Sequence, residues 1–331
     1  MDTHRIKRRR RHRTNASFST VFLPDELIAE VLSFLNIKTI VQLKCLSKSW
    51  KALISDPTFI EKHLKKSSQK PQLTLYWNQR IKGFNLVPFP VHRLLKNPSI
   101  TIYSDNFHHL KSKNNCMVVG SCNGFLCTHF HYLTRTPTAV HLKEWLRFLN
   151  LATRTRSKKL GVLCHSTPSG ADMSIMLSYF KSTFGYDAST RTYKVVTIRR
   201  QKNKASWKNV VKVFSLVNNC WRNIESFIVI SSIRLDIQYR SHLCALSDGV
   251  HLSGTVNWLA MYKLITHVEQ FMIVALDLST EKYKRFLLPS GFNEVPFLEP
   301  VLRVLMDCLC FSYDSNKTGF VFWHMKEYGV E

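Results

Sequence analysis

Residues 23 to 64 carry more apolar surface than so short a segment can hide within itself, and this constrains the chain more than any other feature. Leu23-Pro24-Asp25-Glu26 predicts a helix start. Proline suits the first helical position, where its missing N–H is no loss, and the two acids meet the positive end of the helix dipole. Leu27, Ile28, Val31, Leu32 and Leu35 then recur as one wide helical stripe. Asn36 is placed to cap a second helix bearing Ile40, Val41, Leu43 and Leu46, and Ser47 a third bearing Trp50, Leu53 and Ile54. Asp56-Pro57, a cap followed by a first-turn proline, opens a fourth with Phe59, Ile60 and Leu64. Chains below roughly 70 residues rarely gain enough from one core. With no disulfide or metal spacing to compensate, this segment must cover its surplus against the rest of the chain or against an external helical partner.

The segment resembles an F-box. The residues that carry the resemblance are Leu23-Pro24, Leu27, Leu35, Lys38, Leu43, Cys45-Leu46-Ser47-Lys48-Ser49-Trp50, Leu53-Ile54, Ser55-Asp56-Pro57 and Phe59. Asn36 stands where proline is common and Leu43 where phenylalanine is common; neither breaks the apolar pattern. The resemblance implies a module that docks on a Skp-type adaptor and, through it, on a cullin–RING ubiquitin ligase. The adaptor-binding residues it implies are Leu23, Pro24, Leu27, Ile28, Val31, Leu32, Leu43, Leu46, Trp50 and Leu53.

Beyond this module the chain is long enough for a second, larger domain at the usual ~150 residues per domain. A composition 45% hydrophobic and 21% charged belongs to a folded globular protein rather than a disordered one. No apolar run reaches the length of a membrane helix, and the basic amino terminus lacks the apolar core of a signal peptide. The reading is therefore a nuclear or cytoplasmic protein. Nine cysteines, an odd number without a C-x-x-C pair, argue against a disulfide framework and against a zinc ribbon. Cys127, His129 and His131, with Cys122 nearby, would share one strand face, a grouping more often ordinary strand residues than ligands.

Lys65 to Pro71 reads as a polar hinge, followed by brief strands and loops broken by Pro88, Pro90 and Pro98. From residue 116 period-two runs dominate, with Thr192 to Ile198 and Val210 to Leu216 the clearest strands. A weak repeat of strand end, polar turn and new strand begins at Asn150, Asp187, Ser215, Asp277 and Asp314, spaced 37, 28, 62 and 37 residues. Recurring hairpins on this scale predict radial or barrel-like β architecture.

Residues from about 118 onward are similar to the F-box-associated, kelch-like domain of plant F-box proteins. The matching pieces are Gly120 to Cys127, Ala152-Thr153-Arg154, Phe184-Gly185-Tyr186-Asp187, Tyr193 to Val196, Val213 to Leu216 with Trp221-Arg222, Gly254 with Trp258-Leu259, Asp277-Leu278, Leu288-Pro289 and Trp323 to Val330. Leu149 and Leu151 depart from the usual Trp and Pro, and Asn257 from the usual His. The fold class expected is α+β multidomain: a small all-α F-box, then an all-β, propeller-like domain. The divisions are a basic tail over 1–20, the F-box over 21–66, connecting and early β segments over 67–115, and the propeller-like domain over 116–331. The family usually continues past Tyr328-Gly329-Val330-Glu331, so the expectation is a domain truncated at its carboxyl end, with an open strand edge beside Phe320 to His324.

The resemblance implies a target protein bound by the β domain. No phosphate loop, dinucleotide fingerprint or nucleophile elbow occurs, so no catalytic residue, cofactor or metal is expected. Tryptophans 221, 258 and 323 read as blade core, and Gly124, Gly185 and Gly254 as turn or close-packing residues. Forty-seven Lys and Arg against 22 Asp and Glu give a net charge of +25. Two runs stand out. Lys7-Arg8-Arg9-Arg10-Arg11-His12-Arg13 fits a nuclear-localisation signal, a nucleic-acid-binding arm or a solvated tail. Arg199, Arg200, Lys202, Lys204, Lys208 and Lys212, with Trp207 among them, fit an exposed loop or a single-strand nucleic-acid contact. The alternatives to a ligase subunit are thus a basic nucleic-acid-binding protein, or a decayed paralogue that holds the adaptor alone.

Overall fold

The computed structural model describes residues 23–68, 72–79, 83–91, 96, 108–110, 115–151, 153–168, 180–202, 207–227, 249–261, 271–294, 296, 300–315 and 319–328. The run Lys7 to Arg13 lies outside these residues. The chain divides into two compact units, 1–63 and 64–331.

The first unit is helical, with α1 (Asp25–Leu32), α2 (Ile37–Leu43), α3 (Lys48–Ser55) and the start of α4 (Pro57–Ser68), which runs past the division at residue 63. Local chemistry sets the boundaries. Asn36 Oδ1 accepts from the Thr39 amide at 2.9 Å, Ser47 Oγ from the Trp50 amide at 3.1 Å, and Asp56 Oδ1 from the Thr58 amide at 2.8 Å. Pro24 sits one residue before the place expected, as the N-cap of α1 with extended backbone, and its carbonyl accepts from the Leu27 and Ile28 amides. The expected hinge is also shorter, since α4 runs on through Lys65 and Lys66, two cations that suit the negative end of the helix dipole. Leu32, Ile40, Ile54 and Phe59 are fully buried, with Ile28, Ala29, Leu35, Leu43, Trp50 and Leu53 packed around them.

The second unit holds nineteen described strands in five antiparallel sheets that follow chain order. Sheet 1 contains β1 (Gln72–Gln79), β2 (Gly83–Pro90) and β3 (His108–Leu110). Sheet 2 contains β4 (Asn115–Cys122), β5 (Phe125–Arg135), β6 (Ala139–Asn150) and β7 (Thr155–Arg156), with β8 (Leu160–Pro168) also paired to β6. Sheet 3 is a meander of β9 (Phe180–Asp187), β10 (Thr192–Lys202), β11 (Trp207–Ser215) and β12 (Cys220–Ile224). Sheet 4 repeats it with β13 (Val250–Leu252), β14 (Thr255–Met261), β15 (Phe271–Asp277) and β16 (Tyr283–Phe286). Sheet 5 has β17 (Val301–Leu305), β18 (Cys308–Ser315) and β19 (Gly319–His324). Pro88 and Pro90 are carried inside β2 rather than breaking it.

Side-chain alternation sends successive residues to opposite faces, and neighbouring sheets pack face to face in chain order. Leu86 meets Leu126, Phe130, Trp145 and Leu149 between sheets 1 and 2. Cys127, Leu146 and Phe148 meet Phe184, Val195 and Phe214 between sheets 2 and 3. Val196, Ile198, Val211 and Val213 meet Val256, Trp258, Val274 and Leu276 between sheets 3 and 4. Leu259, Phe271 and Ile273 meet Leu302, Leu309, Phe311 and Tyr313 between sheets 4 and 5. The first strands β4, β9, β13 and β17 lie against one another in succession, the arrangement of propeller blades.

The turns use the predicted residues. Asn123-Gly124 and Ser253-Gly254 form two-residue hairpins with positive φ at both positions, as a right-twisted hairpin requires. Gly185 serves close packing instead: a Cβ there would meet the His251 ring at 2.3 Å. Trp258 is buried, and Trp221 and Trp323 are partly buried against core residues, as blade tryptophans should be.

Candidate functional site

The α1 stripe divides into two. Ile28, Leu32 and Leu35 turn inward, whereas Leu27 and Val31 point out at 54% and 66% exposure, together with Leu23 ahead of the helix and Phe34 beyond it. Leu27 and Val31, four residues apart, share the outward side of α1, so the helix is apolar on both sides. Ile37 at the start of α2, Leu46 in the turn before α3, and Ile60 on α4 are also exposed large apolar residues. Seven such side chains stand outside a core of four fully buried residues and six half-buried ones, a large share of exposed apolar surface for so small a unit. Outside this apolar face, Lys62 pairs with Glu30, and His63 Nε2 lies 3.1 Å from the Leu35 carbonyl oxygen.

The ten residues singled out from the sequence therefore occupy different places. Leu23, Pro24, Leu27, Val31 and Leu46 are exposed; Ile28, Leu43, Trp50 and Leu53 are half-buried against the core; Leu32 is buried within it. Phe34, Ile37 and Ile60 were missed as surface residues. For Phe34 the signal was present, as an apolar residue three positions after Val31.

The buried titratable side chains around Glu144 in the β unit are structural ties. Glu144 on β6 is buried and accepts from the Arg199 guanidinium of β10, at 2.6 Å to Oε1. His165 Nε2 of β8 stands 3.3 Å from the same carboxylate, and His129 Nε2 of β5 stands 3.7 Å away. Burial pushes Glu144 up, but His165, Arg199 and His129 outweigh it and hold it at about 2. Burial pushes His129 down to about 4, against the opposing pull of Glu144. Arg199 is thus committed inside the protein rather than displayed on an exposed basic loop. Cys127 is buried between sheets 2 and 3, and Cys122, its thiol pushed up to about 12 by burial, lies 3.7 Å from His251 Nδ1. Neither thiol is activated as a nucleophile. Asn257, in the place where histidine is usual, is buried and accepts from the Tyr328 hydroxyl at 2.6 Å.

A small helical unit that exposes large apolar side chains precedes a unit of blade-like sheets. Comparison with known proteins agrees. Residues 22–62 match the F-box domain, and residues 81–328 match the F-box associated beta propeller domain, a span that includes β2 and β3. Three relatives come from Arabidopsis thaliana. An F-box/kelch-repeat protein is 27% identical over 96% of this chain and 79% of its own length. The F-box protein CPR1 is 28% identical over 93% and 70%. A putative F-box protein is 24% identical over 94% and 81%. The chain belongs to the family of F-box proteins with an F-box-associated β-propeller domain.

Proposed function

We propose that this protein is the substrate-recognition subunit of an SCF-type cullin–RING ubiquitin ligase. Its helical unit holds a Skp-type adaptor and its β unit holds a target protein. The chain itself performs no chemistry in this reading; ubiquitin transfer belongs to the RING subunit and its conjugating enzyme. The observation that carries the proposal is the exposure of Leu27 and Val31 on α1, with Leu23 and Phe34 exposed on either side of the helix, on a unit that has a separate buried core. Leu27 and Val31 would form direct contacts, while Leu32, Trp50 and Leu53 would hold the helices that present them.

The test is Leu27→Asp with Val31→Asp in the full chain, assayed by adaptor co-purification. Burying two such side chains contributes about 3–6 kcal/mol, so affinity should fall at least about a hundredfold. Because both residues face outward, the core is untouched and the helical unit should stay folded, with a loss of at most about 1 kcal/mol from an acid in the last turn of α1. Undiminished adaptor binding by the folded double variant refutes the proposal.

A further inference from the structure

We infer that one hydrogen-bonded row of turns across sheets 2, 3 and 4 is the target-docking surface of the β unit, and that it takes an extended, carboxylate-rich segment of the target. This rests on the receptor reading above and adds the surface and the chemistry of its occupant.

The turns are joined into a continuous line. Ser157 bonds the Phe148 amide at 3.0 Å and so fixes the segment after the β6–β7 turn to the end of β6. Gly161, four residues on, donates its amide to Asn219 Oδ1 of the β11–β12 turn at 3.0 Å, and its carbonyl accepts from Trp221 Nε1 at 2.7 Å. Arg222 then forks onto Glu281 of the β15–β16 turn. Ser279 of that turn meets Ser189 of the β9–β10 turn at 2.8 Å. Four turns from three sheets thus form one ordered strip.

The strip is one-sided in charge. Segments 153–161, 187–191, 216–222 and 277–282 hold seven Lys and Arg against three acids, Asp187, Asp277 and Glu281. Each acid is already occupied. Asp187 binds Lys194, Asp277 Oδ1 accepts the Ser279 and Thr280 amides, and Glu281 holds Arg222. Arg154, Arg156, Lys158, Arg191 and Lys282 are exposed and form no ion pair among the described residues. Each of the four turns has one non-glycine residue with positive φ, Arg154, Arg191, Asn219 and Glu281, so the turns share one geometry and two of them place an arginine at that position.

An acidic peptide fits the strip better than a nucleic acid. Single strands are held by bases stacked on aromatic faces. The aromatic in these segments is Trp221, whose Nε1 is bonded to Gly161 and whose ring packs on Phe214 at 5.3 Å. What the strip offers instead is guanidinium groups, ammonium groups and turn hydroxyls, donors matched to carboxylates.

The experiment uses the full chain co-purified with the adaptor and a labelled oligoglutamate peptide, at ~0.1 M salt, where the screening length is about 10 Å. The strip variant is Arg154→Glu, Arg191→Glu and Lys282→Glu. The control, with the same change in net charge, is Arg135→Glu, Lys143→Glu and Arg303→Glu, all exposed and outside the strip. Strip reversal should weaken peptide binding at least about tenfold, and the control should change it less than about twofold. Arg→Gln and Lys→Gln versions at the strip positions serve if reversal disturbs the fold by circular dichroism. Equal losses in both variants would reduce the effect to net charge and overturn the inference. So would absence of peptide binding by wild type, or tighter binding of a length-matched oligothymidylate at the strip. Adaptor retained with peptide binding unmoved refutes the docking strip alone, whereas adaptor absent from wild type refutes the receptor reading.

Discussion

Asp187 and Asp277 head the same kind of turn yet should differ sharply in what their removal costs. Asp277 accepts the Ser279 and Thr280 amides at 2.8 Å each. Asp187 accepts the Ser189 amide at 3.0 Å and the Thr190 hydroxyl at 2.6 Å, and in addition binds Lys194 Nζ at 2.8 Å. Asp187 and Lys194 are 1% and 4% exposed. The ammonium also donates to the Leu278 carbonyl of the β15–β16 turn at 2.5 Å. Burial pushes Asp187 up, but the bonds from Lys194, Thr190 and Ser189 overcome it and hold the carboxyl well below the usual range. Asp277→Ala loses turn hydrogen bonds, about 1–2 kcal/mol. Asp187→Ala loses comparable bonds and also strands a buried cation, which raises the cost to about 3–5 kcal/mol. Asp187→Ala with Lys194→Met removes both charges and should recover about half of that. Urea denaturation of the full chain, read on the β transition by circular dichroism, orders the three midpoints. Equal midpoints for the two single variants, or a double variant no more stable than Asp187→Ala, would refute the stranded-cation argument.

Two further predictions use other parts of the chain. In the unfolded chain His129 takes up a proton near its ordinary value of 6.5, but in the folded protein only near about 4. The unfolded state therefore binds more protons between these values, and stability falls as pH drops from 6.5 towards 4. Glu144, held at about 2 against an ordinary 4.5, adds a loss from about 4.5 downward. The melting temperature of His129→Gln should thus depend less on pH between 6.5 and 4 than that of wild type, and parallel profiles would show that His129 does not carry the effect. At the amino terminus, deleting residues 1 to 13 should move a fluorescent fusion from nucleus to cytosol while adaptor binding survives; an unchanged distribution assigns Lys7 to Arg13 to a solvated tail.

What could be read from the sequence was local. Asn36, Ser47 and Asp56 each bond an amide two or three residues away, so side-chain chemistry sufficed to place three helix starts. The turn pattern is similarly local, and its copies at Asn150, Asp187, Ser215 and Asp277 all head hairpin turns, with positive φ at Arg154, Arg191, Asn219 and Glu281, while the turn of the fifth copy, from Asp314, lies outside the described residues. Their places within the sheets were not legible. Asp187 lies between the first and second strands of its sheet, whereas Asn150, Ser215 and Asp277 lie between the third and fourth. Helical periodicity located the α1 stripe but could not separate Leu27 and Val31 from Ile28 and Leu32, because both sides are apolar. The Glu144–Arg199 tie joins residues 55 apart, and in sequence Arg199 looked like one member of a basic run.

The two units dispose of their apolar surface in opposite ways, and this predicts how their stabilities respond to a partner. Sheets 2, 3 and 4 are covered on both faces by neighbouring sheets, so the β unit satisfies much of its burial within the chain. The helical unit has Leu32, Ile40, Ile54 and Phe59 inside and Leu27, Val31, Phe34 and Leu46 outside. A partner that binds the folded helical unit stabilises it by mass action, about 2.7 kcal/mol at a hundredfold excess over Kd. Ile54→Ala, at 2% exposure, should cost about 2–5 kcal/mol in the free chain. With saturating adaptor, the loss of helical signal should shift back to higher temperature, while the β transition stays where it was. Hydrogen exchange with and without adaptor separates the two units directly. Protection gained across α1 to α3, with β9 to β16 unchanged, is the expected pattern. Equal gains in the β unit would mean that adaptor binding is not confined to the helical face.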